Sequence, residues 1–244
     1  MFVMSGGGKS VADIPSSATI LLLSGSSTTV EDLSKNHKVY QSASPVLLAT
    51  DITKFNSRSL YASGGRYFTL GPASSSSEAV CPALDLGTSD FTFETWLNIH
   101  TLSSSSSVLF SGCANMGYGR YGLNVSLYAN TIYFAANSST SPSSEIVSSS
   151  AITFNTWTHW AMTRLGTSLR LYKNGALVDT RTIPSSHSCV SDGIPYVGCA
   201  FYSSYSYPLD AHFDDLRIIK GYARQITLPT GPASLNEPLF KALV

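Results

Sequence analysis

The segment from Ser168 to Thr180 (SLRLYK-NG-ALVDT) limits the fold more than any other part of the chain. Two runs of strand-forming residues flank Asn174-Gly175. Asn and Gly tolerate positive φ at both central positions of a type I′ turn, and that turn matches the twist of paired strands. A β-hairpin is predicted here. Segments of the same kind recur along the chain, punctuated by Ser, Gly and Asn. Strands are predicted over Ala18–Leu23, Ser59–Tyr61, Tyr67–Leu70, Phe91–Ile99, Val108–Ser111, Tyr121–Tyr128, Thr131–Ala136, Trp157–Arg164 and Ala211–Lys220. Ala129-Asn130 reads as a tight turn between two of them. Phe91–Ile99 alternates Phe91, Phe93, Thr95, Leu97 with Thr92, Glu94, Trp96, Asn98. No helical period appears, apart from one turn of helix expected near Leu239. Short strands without helices argue for an all-β sandwich or barrel. No internal repeat is visible, which disfavours a propeller.

Composition narrows the partners. Charged residues are 12% of the chain, Lys plus Arg equals 15 and Asp plus Glu equals 15. With no basic stripe, binding nucleic acid by neutralising phosphates is not expected. Serine occurs 42 times, so hydroxyls solvate this surface where charges usually do. Ile20–Leu23 is too short to cross a bilayer, and no membrane partner is expected. Met1–Ser10 lacks a charged segment followed by an apolar one and does not read as a secretory signal.

Residues 1–17 read as a flexible arm, with Phe2, Val3, Met4, Val11 and Ile14 as apolar residues able to dock on a neighbour. Residues 18–230 form the expected sandwich domain, and 231–244 a tail. Cys81, Cys113, Cys189 and Cys199 have no zinc spacing. Buried free thiols are one reading of them, and a Cys189–Cys199 bridge across a loop is the other.

Five motifs then occur in order. They are Ser59-Leu60-Tyr61 before Gly64-Gly65, Asp90-Phe91-Thr92-Phe93-Glu94-Thr95-Trp96, Trp157-Thr158-His159-Trp160-Ala161-Met162-Thr163-Arg164, Leu171-Tyr172-Lys173-Asn174-Gly175, and Asp214-Asp215-Leu216-Arg217-Ile218 with Gly221-Tyr222-Ala223-Arg224. The series resembles the concanavalin A-like, laminin-G-like jelly roll found in tailed-phage virion proteins, over about residues 18–230. The resemblance implies a two-sheet antiparallel jelly-roll sandwich. It leaves function open, because such folds host lectins, enzymes and structural parts alike.

Chemistry is sparse. Related jelly-roll glucanases carry a Glu-x-Asp-x-(x)-Glu run, which is absent here. Adjacent Asp214 and Asp215 should point to opposite faces of a strand unless a bulge intervenes. His159 reads as a packed or hydrogen-bonded strand histidine, and no Gly-x-Ser-x-Gly elbow occurs. Gly6-Gly7-Gly8-Lys9-Ser10 lacks the spacing of a phosphate loop. No catalytic residue and no firm metal site is assigned. Weak calcium candidates are Asp90, Asp210 and Asp214, together with Asp192, because sandwiches of this kind often hold Ca²⁺ at a rim. Tyr118, Arg120 and Tyr121 in one loop, and Tyr202, Tyr205 and Tyr207 in another, are the ligand candidates. Tyrosine offers an apolar face and a hydroxyl at low entropic cost.

Two functions are expected from this. The first is a non-enzymatic virion surface protein, either a capsid decoration (cement) protein or a tail-attached module. It would be made in the host cytoplasm and act through contacts with other virion proteins, as a homo-oligomer such as a trimer. The alternative is a lectin-like adhesin that recognises a host surface glycan.

Overall fold

In a computed structural model, the structure describes residues 14–26, 28–42, 44–71, 84–102, 106–112, 122–137, 145–150, 152–191, 193–202, 204–233 and 235. Apart from a 3-10 turn at Ser16–Ala18, the described elements are strands. They build two antiparallel sheets packed face to face, so the fold is the all-β jelly-roll sandwich.

The larger sheet has β6 (Phe91–Thr101) and β17 (Asp210–Lys220) at its centre. On one side of β6 lie β11 (Thr158–Leu165), β12 (Ser168–Lys173) and the edge strand β13 (Ala176–Thr182). On the far side of β17, β4 (Ser59–Ala62) pairs with its first half and β1 (Thr19–Leu23) with its second. β3 (Leu47–Ala49) lies beyond β4. The smaller sheet runs β10 (Ile146–Ser149), β9 (Thr131–Asn137), β8 (Gly122–Tyr128), β7 (Ser107–Ser111), β14 (Tyr196–Val197), β5 (Phe68–Thr69) and β2 (Tyr40–Gln41). A separate two-strand ribbon pairs β15 (Ala200–Tyr202) with β16 (Ser204–Ser206).

The core fills the space between the sheets. Phe93 of β6 meets Phe110 and Phe134 of the smaller sheet edge-on, with centroids 5.7 and 5.8 Å apart. Trp160, Met162, Leu169, Leu171, Phe213 and Ile218 complete the larger sheet's inner layer. Both predicted turns are present. Ala129 and Asn130 have φ of 47° and 63°, and Asn174 and Gly175 have 49° and 83°. Cys189 and Cys199 are buried free thiols, which excludes a bridge between them.

Two features of the central strands differ from the simple reading. Alternation on β6 suggests one wet face, yet every residue from Phe91 to Ile99 is buried. Over Thr92 and Glu94 the outer face is covered by the chain that follows β17. Thr92 Oγ1 donates to the Tyr222 carbonyl (3.1 Å) and accepts the Arg224 N–H (2.8 Å). The second feature is a bulge in β17. Asp214 lies opposite Trp96 and Arg217 opposite Glu94, so three steps on β17 match two on β6. Asp215 sits at the irregularity with φ of 50°. A bulge re-aims side chains, and it removes the argument that Asp214 and Asp215 must face opposite ways.

Candidate binding site

Register brings four polar side chains together on the outer face of the larger sheet. Trp96 and His159 are cross-strand partners on β6 and β11, and Glu94 and Arg217 on β6 and β17. The tail adds a fifth, Arg224. Glu94 Oε1 accepts from Arg217 Nε at 2.8 Å. Its Oε2 accepts from Arg224 Nη1 at 2.6 Å and lies 3.3 Å from His159 Nε2. Burial alone would push this carboxyl up, but Arg217, Arg224 and His159 together hold it well below the usual carboxylate range. Both oxygens are occupied by cations, which leaves Glu94 unsuited to be a general base.

Trp96 is walled in. Phe55 meets it edge-on at 5.5 Å, Lys54 Nζ stands 4.0 Å from its ring centroid, and His159 lies 5.2 Å away. Burial lowers the Lys54 ammonium below its ordinary value.

The bulge supplies two carboxyls. Asp214 Oδ1 accepts from Gly25 N (2.7 Å), Ser24 Oγ (3.2 Å) and Asp215 N (2.9 Å). Asp215 Oδ2 accepts from Ala233 N at 2.7 Å. Burial, and then the neighbouring Asp214, push the Asp215 carboxyl up to about 7.

Between these groups and the tail from Thr227 to Ala233 lies a cavity of about 310 Å³. Its lining includes Glu94, Trp96, His159, Asp215, Arg217 and Arg224. Three of the lining residues each carry a buried atom with no hydrogen-bond partner: Trp96 Nε1, His159 Nδ1 and Asp215 Oδ1. These residues are 3%, 1% and 4% exposed. Buried polar atoms are nearly always paired, and leaving one unpaired costs about 1–3 kcal/mol. Three such residues around one cavity make it the candidate ligand site. The indole N–H donates. His159 points Nε2 at Glu94, so its Nδ1 accepts when the ring is neutral and donates when it is protonated. Asp215, whose carboxyl is pushed up by burial and then by Asp214, accepts from a ligand hydroxyl when ionised and donates to it when protonated.

Apart from Asp214, which adjoins Asp215, the described residues singled out by sequence as site candidates do not line this cavity. Ile14 is buried against Ala18, Ile219 and Tyr222 of its own chain, so it is already occupied. Phe2, Val3, Met4, Val11, Tyr118, Arg120, Tyr121 and Asp192 lie outside the described residues. Tyr202 and Tyr205 fall on the β15–β16 ribbon. Tyr207 has φ of 64°, and its carbonyl accepts the Val108 N–H. Asp90 precedes β6 and accepts the Gly166 N–H at 2.7 Å. Asp210 pairs with Thr101 at the other end of β6, and bonds Tyr61 and Thr101. About ten residues of extended chain separate those two ends, over 30 Å. Asp90, Asp210 and Asp214 are therefore not one site. Among the described residues no group of three His, Cys, Asp or Glu side chains could hold a metal ion. Glu94, Trp96, Arg217 and Arg224 were missed as site residues. The available signal was a pair of opposite charges, Glu94 and Arg217, in mid-strand of a chain poor in charge.

Residues 72–225 match the family model of the concanavalin A-like lectin/glucanases superfamily, and the chain belongs to that family. No curated protein matches it. Among solved structures it is similar to the botulinum neurotoxin serotype D binding domain, with TM-score 0.61 and 14% identity over 86% of this chain and 50% of that one. It is also similar to the binding domain of Paraclostridial Mosquitocidal Protein 1, with TM-score 0.59 and 14% identity over 83% and 48%. A third is the botulinum neurotoxin serotype D ligand binding domain in complex with N-acetylneuraminic acid, with TM-score 0.58 and 14% identity over 91% and 49%. The chain spans about half the length of these structures, and at such identity the likeness is one of fold. That fold is lectin-like, of the kind used in binding domains.

Proposed function

We propose that this chain is a non-catalytic recognition module of a virion surface, and that its outer-face cavity holds a hydroxyl-rich group of a glycan. The observation that carries this reading is that three residues lining one cavity, Trp96, His159 and Asp215, each hold a buried polar atom without a partner. A sugar hydroxyl both donates and accepts, which suits an indole donor beside an imidazole nitrogen and a carboxyl. A cavity of about 310 Å³ is at the small end of ligand pockets and fits a single sugar ring better than a chain. Glu94 is neutralised by two arginines and is not free to do acid–base work. The lectin-like fold supports a binding role. The structural neighbour seen with N-acetylneuraminic acid shows that its own domain accepts a sugar.

The test is a glycan array followed by calorimetry on each hit. Trp96→Phe keeps a ring and removes the N–H, so affinity should fall about tenfold, the worth of one hydrogen bond. Asp215→Asn should weaken binding to a similar degree. An array without hits, or hits indifferent to both changes, would overturn the reading.

A second reading has its own observation. Ile14 is fixed on Ile219 and Tyr222, so Phe2, Val3, Met4 and Val11 all belong to a segment that starts from a defined point on the domain. This favours a capsid decoration or tail module that acts through protein contacts. Deleting residues 2–13 should then reduce incorporation into particles and leave glycan binding intact. Purified particles of the source that lack the protein would sink the virion placement altogether.

A further inference from the structure

β13 is an open edge. Among the described residues it pairs with β12 alone. Of its seven residues, all but the half-buried Asp179 are exposed. Leu177 and Val178 are 54% and 42% exposed, two of the five large apolar side chains on the described surface. Ile183 N donates to the Thr167 carbonyl on the β12 side. By alternation, Asp179 and Arg181 also aim their backbone groups at β12, while Thr180 and Thr182 aim theirs outward. β13 carries no Lys or Pro, and its two charges, Asp179 and Arg181, are of opposite sign.

We propose that β13 is a self-association surface, on which a second copy of this chain adds its own β13 antiparallel about a two-fold axis at Thr180. In that register Thr180 faces Thr180 of the second copy as a hydrogen-bonded pair. Asp179 then lies opposite the partner's Arg181, and Arg181 opposite the partner's Asp179. Directly opposed residues share a face of the sheet, so two ion pairs flank the axis by symmetry. The strand is thus complementary to itself in charge as well as in backbone donors and acceptors, which is what an isologous contact requires. In the single chain Asp179 Oδ1 accepts the Thr180 N–H at 2.8 Å. On pairing, that N–H passes to the partner's Thr180 carbonyl and the freed oxygen meets the guanidinium. Asp179 Oδ2 stays on the Ser148 N–H. One strand pair buries less than about 1,000 Å², so the dimer is expected to be weak and concentration-dependent.

Sedimentation equilibrium over a wide concentration range tests this. The wild-type chain should pass from monomer to dimer, more readily at low salt. Arg181→Asp puts like charges opposite each other twice and should raise the dissociation constant about tenfold or more. Thr180→Pro removes an N–H not needed by β12 and should abolish pairing, with far-ultraviolet circular dichroism unchanged. The double swap Asp179→Arg with Arg181→Asp should restore the dimer. A chain that stays monomeric at every concentration overturns the proposal. So does a dimer untouched by both Arg181→Asp and Thr180→Pro.

Discussion

The Asp215 carboxylate accepts the Ala233 N–H at 2.7 Å and so fastens the tail to the bulge of β17. That carboxyl is pushed up to about 7 by burial and then by Asp214. An unfolded aspartate titrates near pH 3.9. Between those values the folded chain holds a proton that the unfolded chain has lost. This contribution to stability is full below about pH 4, falls as pH rises, and is gone above about pH 7. It should amount to roughly 2–4 kcal/mol. Urea midpoints measured from pH 4 to 8 should decline, and Asp215→Asn should flatten the decline. A wild-type midpoint that is level across this range would contradict the assignment.

Glu94 should be the most sensitive charged position. Replacing it with Ala removes the carboxylate that both Arg217 and Arg224 bond. Removing one partner of a buried ion pair costs about 3–5 kcal/mol. Denaturant unfolding of Glu94→Ala checks this, and a loss under about 1 kcal/mol would mean that water reaches the site freely.

Gly175 serves the hairpin and the tail at once. Its φ is 83°, and a Cβ there would stand 2.9 Å from the backbone nitrogen of Leu228. Leu228 is part of the cavity wall. Gly175→Ala should therefore cost at least about 1 kcal/mol and also displace that wall. Accelerated proteolysis within residues 225–233, at a rate the wild type does not show, is the expected readout.

The thiols of Cys189 and Cys199 are pushed up to about 12 by burial. Peptide mapping after maleimide treatment at pH 8 should find both unmodified in the native chain and both labelled in urea. Native labelling at either would show an opening of the core that the packing does not suggest.

Much of the architecture was legible because it rests on local signals. The Asn174-Gly175 turn needs only two residues. β6, β11 and β17 begin and end within two residues of where alternation and turn residues place them. The site was not legible, for a physical reason. Glu94 is 123 residues from Arg217 and 130 from Arg224, and strand register alone brings them together. Alternation on β6 correctly separates Thr92, Glu94, Trp96 and Asn98 from the apolar set. It cannot say that a later segment will lie across them. The Asp214–Asp215 pair shows a similar limit, since a one-residue bulge is decided by the partner strand. The tyrosine loops drew notice for their composition, whereas the cavity is lined by residues that read one by one as ordinary strand positions.

Because the tail after Lys220 lies over the outer face of β6, the last strand is not where the folded unit stops. A fragment cut after Lys220, where the sheet ends, would strip Glu94 of one arginine, open the cavity beside Trp96 and release the Asp215 carboxyl from Ala233. Anyone grafting this domain onto another protein should carry the chain through Ala233. A fusion partner joined any earlier would inherit a half-open sheet with its charges facing water.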